Sequence, residues 1–423
     1  MRRLIAGSTM LALTAAGLVA AGPTANAGAA QRAERQPTAF ALKSSGYGTR
    51  VRGGQLPAGS DSSAFSVIGC TNNAGVVHEN HEAEETLPGV GTASEVKTRV
   101  WTTSRNGVVS SRSRDTIARI TLADNPMGSL TIDGVKAVSR AYHDAQGFHA
   151  VTHSSVASIT FTPTTGDPQS FDLPAEGAPP IDIPGVATIA AGTSKKHESG
   201  SGAVAVSEVL TITVPGSSSK VHVGHAYARI DGGIKSGIFG GFGAGSRGNA
   251  ADGHVTSGRS PYQPMPCQGT AGKTRTKDLA RADLGHQVVV SGLHAQQMTD
   301  ATMTKAWGYE QGSVAKLNIG QGQLVVKGIV GKVHVVRKGA GLTQLVRNTR
   351  GTTIGSITAN GQAQQFPDTG VLEIPGVAKL ESNVKTKVRG GMAVTALRVT
   401  LLDGSGAVLN LGLAKLTILK SNR

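Results

Sequence analysis

The sequence predicts an all-β protein built as two tandem copies of one antiparallel β domain, and three observations carry that expectation. Apolar or small residues alternate with polar ones along much of the chain. Glycine is abundant, at 57 residues, while aromatic residues make up only 4%. Several short segments recur in the same order in the two halves. Period two is the pattern of half-buried strands with one face on a core and the other in water. Val, Ile and Thr among small polar residues favour short strands over helices, and few aromatic side chains limit the core each domain can build.

In chain order, Met1, Arg2 and Arg3 precede an apolar stretch from Leu4 to Ala21 and a small-x-small site at Ala25-Asn26-Ala27. This is a signal-peptide pattern, because Gly7, Ser8, Thr9, Thr14 and Gly17 dilute the stretch and a cleavage site follows at once. The expected organisation is a signal peptide over 1–27, a mature N-terminal segment over 28–37, copy 1 over 38–235 and copy 2 over 236–423. A Gly- and Ser-rich start, 236–262, expected to be loop-like, opens the second copy. No cysteine stands directly after the apolar stretch, as a lipoprotein anchor would require, and "LGLAKLTILKSNR" at the C-terminus holds neither an apolar span nor a sortase-type motif. The expected product is secreted, or retained noncovalently on the cell wall, without a transmembrane anchor.

The duplication rests on seven ordered matches, sought first because a missed repeat misassigns the fold. "GYG" around Tyr47 pairs with "GFG" around Phe242, and Cys70 in "CTNNAG" with Cys267 in "CQGTAG". Trp101 pairs with Trp307, "TIARITL" (116–122) with "SVAKLNI" (313–319), and "VASIT" ending at Thr160 with "IGSIT" ending at Thr358. "DIPGVATI" (182–189) matches "EIPGVAKL" (373–380), and "VHVGHAYARI" (221–230) matches "LNLGLAKLTI" (409–418). Each copy is long enough for its own core. "VKTRVW", "ARITL", "SLTIDGVKAVSRAY", "AVTHSSVASITF" and "EVLTITV" supply alternating strands within copy 1, punctuated by Gly, Pro, Asp or Asn. A sandwich and a curled sheet or barrel both fit that pattern.

The combination of "SGYG", "LPGVG", "LTIDGVKAVSRA", "IDIPGVATI", "VLTITVPGSSSKVHVGHAYARI" and "VTALRVTLLDGSGAVLNLGLAKL" resembles choice-of-anchor P family proteins, exported by high-GC Gram-positive bacteria. The resemblance covers nearly all of the mature chain in both copies. It implies a surface or extracellular domain displayed through varied C-terminal anchors, and it carries no catalytic residues. This chain departs from the pattern by lacking a recognisable anchor.

Charge is the main functional clue. Of the formal +15, residues 28–235 contribute nothing, with 18 basic and 18 acidic side chains, whereas 236–423 carry 22 basic against 9 acidic. A concentrated positive field attracts anionic polymers through many weak, salt-screened contacts. Outside a cell these are teichoic-type wall polymers, acidic polysaccharides, lipid headgroups or released nucleic acid. Two stretches carry the field. In "GKTRTKD", Lys273, Arg275 and Lys277 alternate, so a strand places all three on one face about 7 Å apart. In "GKVHVVRKG", Lys332 and His334 share a face opposite Val333 and Val335, with Arg337 and Lys338 at the strand end and Arg347 and Arg350 nearby. The plainer alternative is a solvated sheet face that keeps an exported protein soluble. No aromatic stacking pattern accompanies the charge, so sequence-specific nucleic-acid recognition is not expected.

Other motifs weaken on inspection. "CQGTAGKT" (267–274) has Cys where a phosphate-binding loop begins with Gly, and "GAGSRG" (243–248) lacks a strand-turn-helix context. GxSxG is absent from the chain. His222 and His225 are expected on opposite sides of a strand. "VVHENHEAEE" (76–85) offers His78, His81, Glu82 and Glu85 as candidate metal ligands, but its spacing is HExH rather than HExxH. On a short helix the four share a face; on a strand His78 and His81 point apart. Counting from the cysteines, the aligned segment is "KTRTKDLARA" (273–282), whose alternation favours the strand and makes this stretch the acidic twin of a basic one. Export exposes Cys70 and Cys267 to oxidation, so they form either a bridge between copies or two unpaired thiols.

The functional expectation is a non-enzymatic exported protein without cofactor, retained on anionic wall or matrix polymers by its basic second copy. One alternative is a secreted hydrolase of wall or polysaccharide material using acids such as Asp115, Asp133, Glu208 or Glu310, whose spacing singles out no pair. Another is a purely structural coat component.

Overall fold

Every strand observed is antiparallel, and the two halves of the chain build the same pair of sheets. A computed structural model describes residues 35–53, 62–87, 90–125, 127–215, 219–250, 255–284 and 287–421, so the signal-peptide segment 1–27 lies outside the described residues. The first half runs β1 (Gln36–Gly53), β2 (Ser66–Ala74), β3 (Val77–Leu87), β4 (Gly91–Arg105), β5 (Val108–Asn125), β6 (Gly128–Asp144) and β7 (Gly147–Ser155). It continues with β8 (Ser158–Pro163), β9 (Gln169–Phe171), β10 (Ile181–Ile183), β11 (Ala187–Ala191), β12 (Ser194–Ser199), β13 (Gly202–Val214) and β14 (Ser219–Asp231). The second half runs β15 (Gly237–Ala250), β16 (Val255–Pro264), β17 (Arg275–Asp283), β18 (Val288–Ala301), β19 (Lys305–Ile319), β20 (Leu324–Lys338) and β21 (Gln344–Asn348). It closes with β22 (Ser356–Ala359), β23 (Gln362–Gln364), β24 (Val371–Ile374), β25 (Ala378–Val388), β26 (Gly391–Leu401) and β27 (Val408–Lys420).

In the first half one sheet has the order β10-β11-β13-β14-β1-β2 and the other β3-β4-β5-β6-β8-β9. The second half repeats both, as β24-β25-β26-β27-β15-β16 and β17-β18-β19-β20-β22-β23. The side branch β7 on β6 recurs as β21 on β20, while β11 and β12, which both pair with β13, are replaced in the second half by the single strand β25. The tryptophan match does not survive this comparison. Trp101 lies on β4, while Trp307 lies on β19, the counterpart of β5. Position 307 aligns instead with Ser110 under the spacing set by "TIARITL" and "SVAKLNI".

The two sheets of each half face one another across a shared core, with no closed barrel among the described residues. Val51, Leu210, Ile212 and Val223 from one sheet meet Ile117, Ile120, Leu130 and Ile132 from the other. Leu293, Val314, Leu317 and Val326 likewise meet Leu397, Val399 and Leu411. Each half also has a second, smaller apolar cluster, around Leu42 and Ile230 in the first and Phe239 and Leu416 in the second.

Small residues bring the sheets unusually close in between. In the first half Ser113 Oγ donates to the carbonyl of Ser45 at 2.9 Å and Ser139 Oγ to that of Ala226 at 2.9 Å. In the second half glycines take over: a Cβ on Gly312 would sit 1.9 Å from the carbonyl oxygen of Ala244, and one on Gly331 1.8 Å from that of Gly412. Much of the glycine content is thus a packing requirement, not looseness.

Residues 35–423 form one compact unit. Ala41, Ile234, Ile238 and Cys267 are buried together with Cys70 and Leu419 alongside, and the cysteines are joined as a disulfide with a Cα–Cα distance of 5.3 Å. No helix among the described residues is long and apolar enough to cross a membrane.

Candidate functional site

The basic stretches of the second half do not form one face. Lys273 precedes the strand, in a turn where its N–H donates to Thr270 O at 3.1 Å. Arg275 and Lys277 lie on exposed β17, opposite the buried Gln297 and Ala295 of β18, so they extend the core-facing side of the sheet beyond its edge. Lys332 and His334 are on the other side, because the intervening Val333 and Val335 are fully buried.

Arg337 is withdrawn from the expected patch altogether. It is 9% exposed, with Nε donating to Ile418 O at 2.8 Å and Nη1 to Leu342 O at 2.9 Å. Its position shares the inward face with Val333 and Val335, so the guanidinium ties two backbone segments together. Arg347 is half-buried and donates to Gly391 O at 3.3 Å. Arg350 and Lys338 are exposed.

The solvent-facing side of β19 and β20 adds residues that the charge count overlooked. Register pairs Lys305 with Lys338, Trp307 with Val336 and Tyr309 with His334. Lys305 Nζ stands 4.7 Å from the Trp307 ring centre and Lys332 Nζ 4.4 Å from that of Tyr309. The His334 ring lies 5.9 Å from Tyr309, and burial together with Lys332 and Arg350 holds its pKa below the usual value. Aromatic residues therefore do accompany the charge. The signal was the period-two run "KAWGY", which puts Lys305, Trp307 and Tyr309 on one face. Among the described residues, none of Lys305, Lys332, Lys338 and Arg350 has a carboxylate within ion-pairing distance.

The acidic twin is a strand. On β3, His78 pairs in register with buried Val100 and His81 with exposed Lys97, so their side chains point apart. His78 Nδ1 lies 2.7 Å from Val67 O, and His81 Nε2 lies 3.2 Å from Glu95 Oε2. Glu82 and Glu85 join no cluster with them; among the described residues no group of three His, Cys, Asp or Glu is arranged to hold a metal.

The other histidine pair behaves differently from its sequence reading. Gly224 adopts φ +66 and breaks the inward–outward alternation of β14 without shifting its register, so His222 and His225 fall on the same face. Both then reach Glu208 on β13, His222 Nδ1 at 3.0 Å from Oε1 and His225 Nδ1 at 4.0 Å from Oε2. Burial raises the Glu208 pKa, but the His222 hydrogen bond and the two imidazoles more than offset it and leave it lowered. Burial pushes His225 down to about 4, with its ring stacked on Tyr47 at 4.7 Å.

The remaining acids do not converge. Asp133 pairs with Arg119 at 2.7 Å. Asp115 is fully buried and accepts one hydrogen bond, from Thr98 Oγ1 at 2.7 Å; burial raises its pKa to about 7 against the lowering by that bond. Glu310 is fully buried on β19 beside Gln297, neither carboxyl oxygen having a hydrogen-bond partner, and burial raises it well above the ordinary value despite Arg275.

"CQGTAGKT" forms turns leading into β17, and "GAGSRG" lies within β15, so neither has a phosphate-loop conformation. A cleft of about 580 Å³ opens where the halves meet. Its wall carries the Phe40, His143 and Phe148 rings, with Lys235, Gln268 and Asp300 across from them.

No family model and no curated protein matches the chain. Among solved structures it is similar to a mutant of the vaccine antigen transferrin-binding protein B from Haemophilus parasuis Hp5. The two share 8% identity, the match covers 90% of this chain and 78% of that one, and the TM-score is 0.10, a likeness that fixes neither fold nor ligand.

Proposed function

We propose that the chain is an exported, non-enzymatic protein of the cell surface or extracellular space, held on anionic wall or matrix polymers through its second half. The observation that carries this reading is the outer face of β19 and β20. There Lys305, Lys332, Lys338 and Arg350 stand among Trp307, Tyr309 and His334 without carboxylate partners among the described residues. Cations over ring faces are held in place yet remain solvated, which suits repeated weak contacts with a flexible polyanion. The resemblance to choice-of-anchor P proteins, which are surface or extracellular proteins, belongs to the same reading.

Isolated Gram-positive walls loaded with the secreted protein and washed in rising salt test it. Retention at low salt and release well below 1 M are expected, because exposed charge contacts are screened on that scale. Neutralising Lys305, Lys332 and Lys338 with glutamine should shift release to lower salt. Absence from the walls at low salt, or retention unmoved by high salt, contradicts the proposal.

A further inference from the structure

The half whose charges cancel holds the more specific anion site. On the outer face of the first half, register places Trp101, Arg112, Arg140 and Val151 in one row across β4, β5, β6 and β7. The adjacent row is Arg99, Arg114, Val138 and His153. Four arginines therefore share one small patch, and Arg112 and Arg140 are direct cross-strand neighbours, an arrangement in which like charges repel. Arg99 has a carboxylate, Glu79 at 3.0 Å. Among the described residues Arg112, Arg114 and Arg140 have none.

Rings and hydroxyls fix the guanidinium groups. Arg140 Cζ lies 4.1 Å from the centre of the Tyr142 ring, which is itself stacked on His149 at 4.8 Å; His149 is in turn engaged by Asp144 at 3.1 Å. Arg99 and Arg112 lie 5.3 and 5.9 Å from the centre of Trp101. Arg112 Nε donates to Ser110 Oγ at 3.0 Å, whereas Arg140 Nε is shielded from solvent and has no hydrogen-bond partner. Burial and the charge of Arg140 both lower the Arg112 pKa. Two oriented, mutually repelling cations with an unspent buried donor make a site suited to an anion.

We propose that this face binds a phosphodiester polymer, with one phosphate bridging Arg112 and Arg140 and the next meeting Arg114 and Arg99. A phosphodiester carries its charge on two non-bridging oxygens, each of which can accept from a different guanidinium. Arg112 and Arg114 are two apart on β5, roughly 7 Å along the strand, a step that suits successive phosphates of an extended chain. Stacking of nucleic-acid bases is disfavoured, because the faces of Trp101 and Tyr142 already carry guanidinium groups. The counterparts of Arg112 and Arg140 in the second half are Tyr309 and His334, so the site belongs to the first half alone and does not depend on retention through the second.

Calorimetry of the disulfide-intact chain with a synthetic glycerol-phosphate hexamer tests it. Arg112→Lys with Arg140→Lys preserves charge but removes the planar forks, and should weaken binding at least tenfold, while Lys332→Gln with Lys338→Gln leaves it within twofold. Should the arginine variant fold poorly, the same hexamer titrated into ¹⁵N-labelled wild-type protein should shift the Arg140 Nε–H resonance. Equal affinity of the lysine variant, or no shift at Arg140, overturns the proposal. So does equal affinity for a galacturonate hexamer, a preference for single-stranded oligonucleotide, or binding only to vesicles containing phosphatidylglycerol.

Discussion

Replacing Asp115 with asparagine should make stability at alkaline pH higher than in the natural protein. Asp115 is wholly enclosed between the sheets, with Oδ1 held by Thr98 and Oδ2 without a partner. Burial moves its pKa from 3.8 to about 7. The folded state thus keeps a proton that the unfolded chain releases, so this contribution is complete below pH 3.8 and is lost as pH rises through about 7. At 1.36 kcal/mol per pH unit the loss is about 4 kcal/mol. Asparagine retains the shape and the Thr98 contact but has nothing to titrate.

The natural protein's own pH curve is a poor readout, because His225 slopes the other way. Its pKa is depressed to about 4, so its contribution is complete above 6.5 and is lost as pH falls through about 4. The difference between Asp115→Asn and wild type cancels that term. Urea unfolding at constant ionic strength should find the two within about 1 kcal/mol at pH 4 and the variant about 4 kcal/mol more stable at pH 8. A difference that does not change with pH refutes the reasoning, since it means that Asp115 is ionised in the fold or reaches solvent.

Three other outcomes follow from the same structure. The bridge between Cys70 and Cys267 spans a sequence separation of 197; the denatured secreted protein should show no reactive thiol, and the double serine variant should lose about 5 kcal/mol in denaturant unfolding. Gly331→Ala drives a methyl group into the Gly412 carbonyl and should cost about 3 kcal/mol, at the upper end for overpacking, read as a lowered urea midpoint. Arg337→Met should leave two buried carbonyls unpaired and cost about 2 kcal/mol, yet release from walls should occur at the same salt concentration as wild type.

Strand content and the repeat were legible because both depend on local pattern. Alternation marks a half-buried strand wherever it pairs, and a glycine at positive φ constrains the backbone wherever the unit recurs: Gly224 and Gly412 sit at φ +66 and +62 at matched positions. Side-chain neighbourhoods across strands were not legible, because register is set by tertiary packing. Arg337 reads as part of a basic run, but one step of alternation puts it inside. His222 and His225 read as opposed until one glycine at positive φ breaks the alternation and turns them together. The tryptophans matched because each follows a similar tripeptide, although they lie on non-equivalent strands.

Net charge was the most misleading of the sequence quantities, and the first half shows why. Four of its 18 acids, Glu79, Glu82, Glu84 and Glu85, fall within β3, while Arg99, Arg112, Arg114 and Arg140 occupy the outer face of the next three strands. A sum over the half does not show where these charges lie: Glu79 pairs with Arg99 at 3.0 Å, while among the described residues Arg112, Arg114 and Arg140 have no carboxylate within ion-pairing distance. At physiological salt charges interact over about 8 Å, so a ligand on the arginine rows feels its nearest guanidinium groups far more than the distant end of the glutamate strand. The duplicated framework keeps the buried faces alike and leaves the outer rows free to differ, arginine pairs on one half and lysine over tyrosine and tryptophan on the other. If both faces bind as proposed, salt should separate them: the lysine face releases first, the arginine forks last.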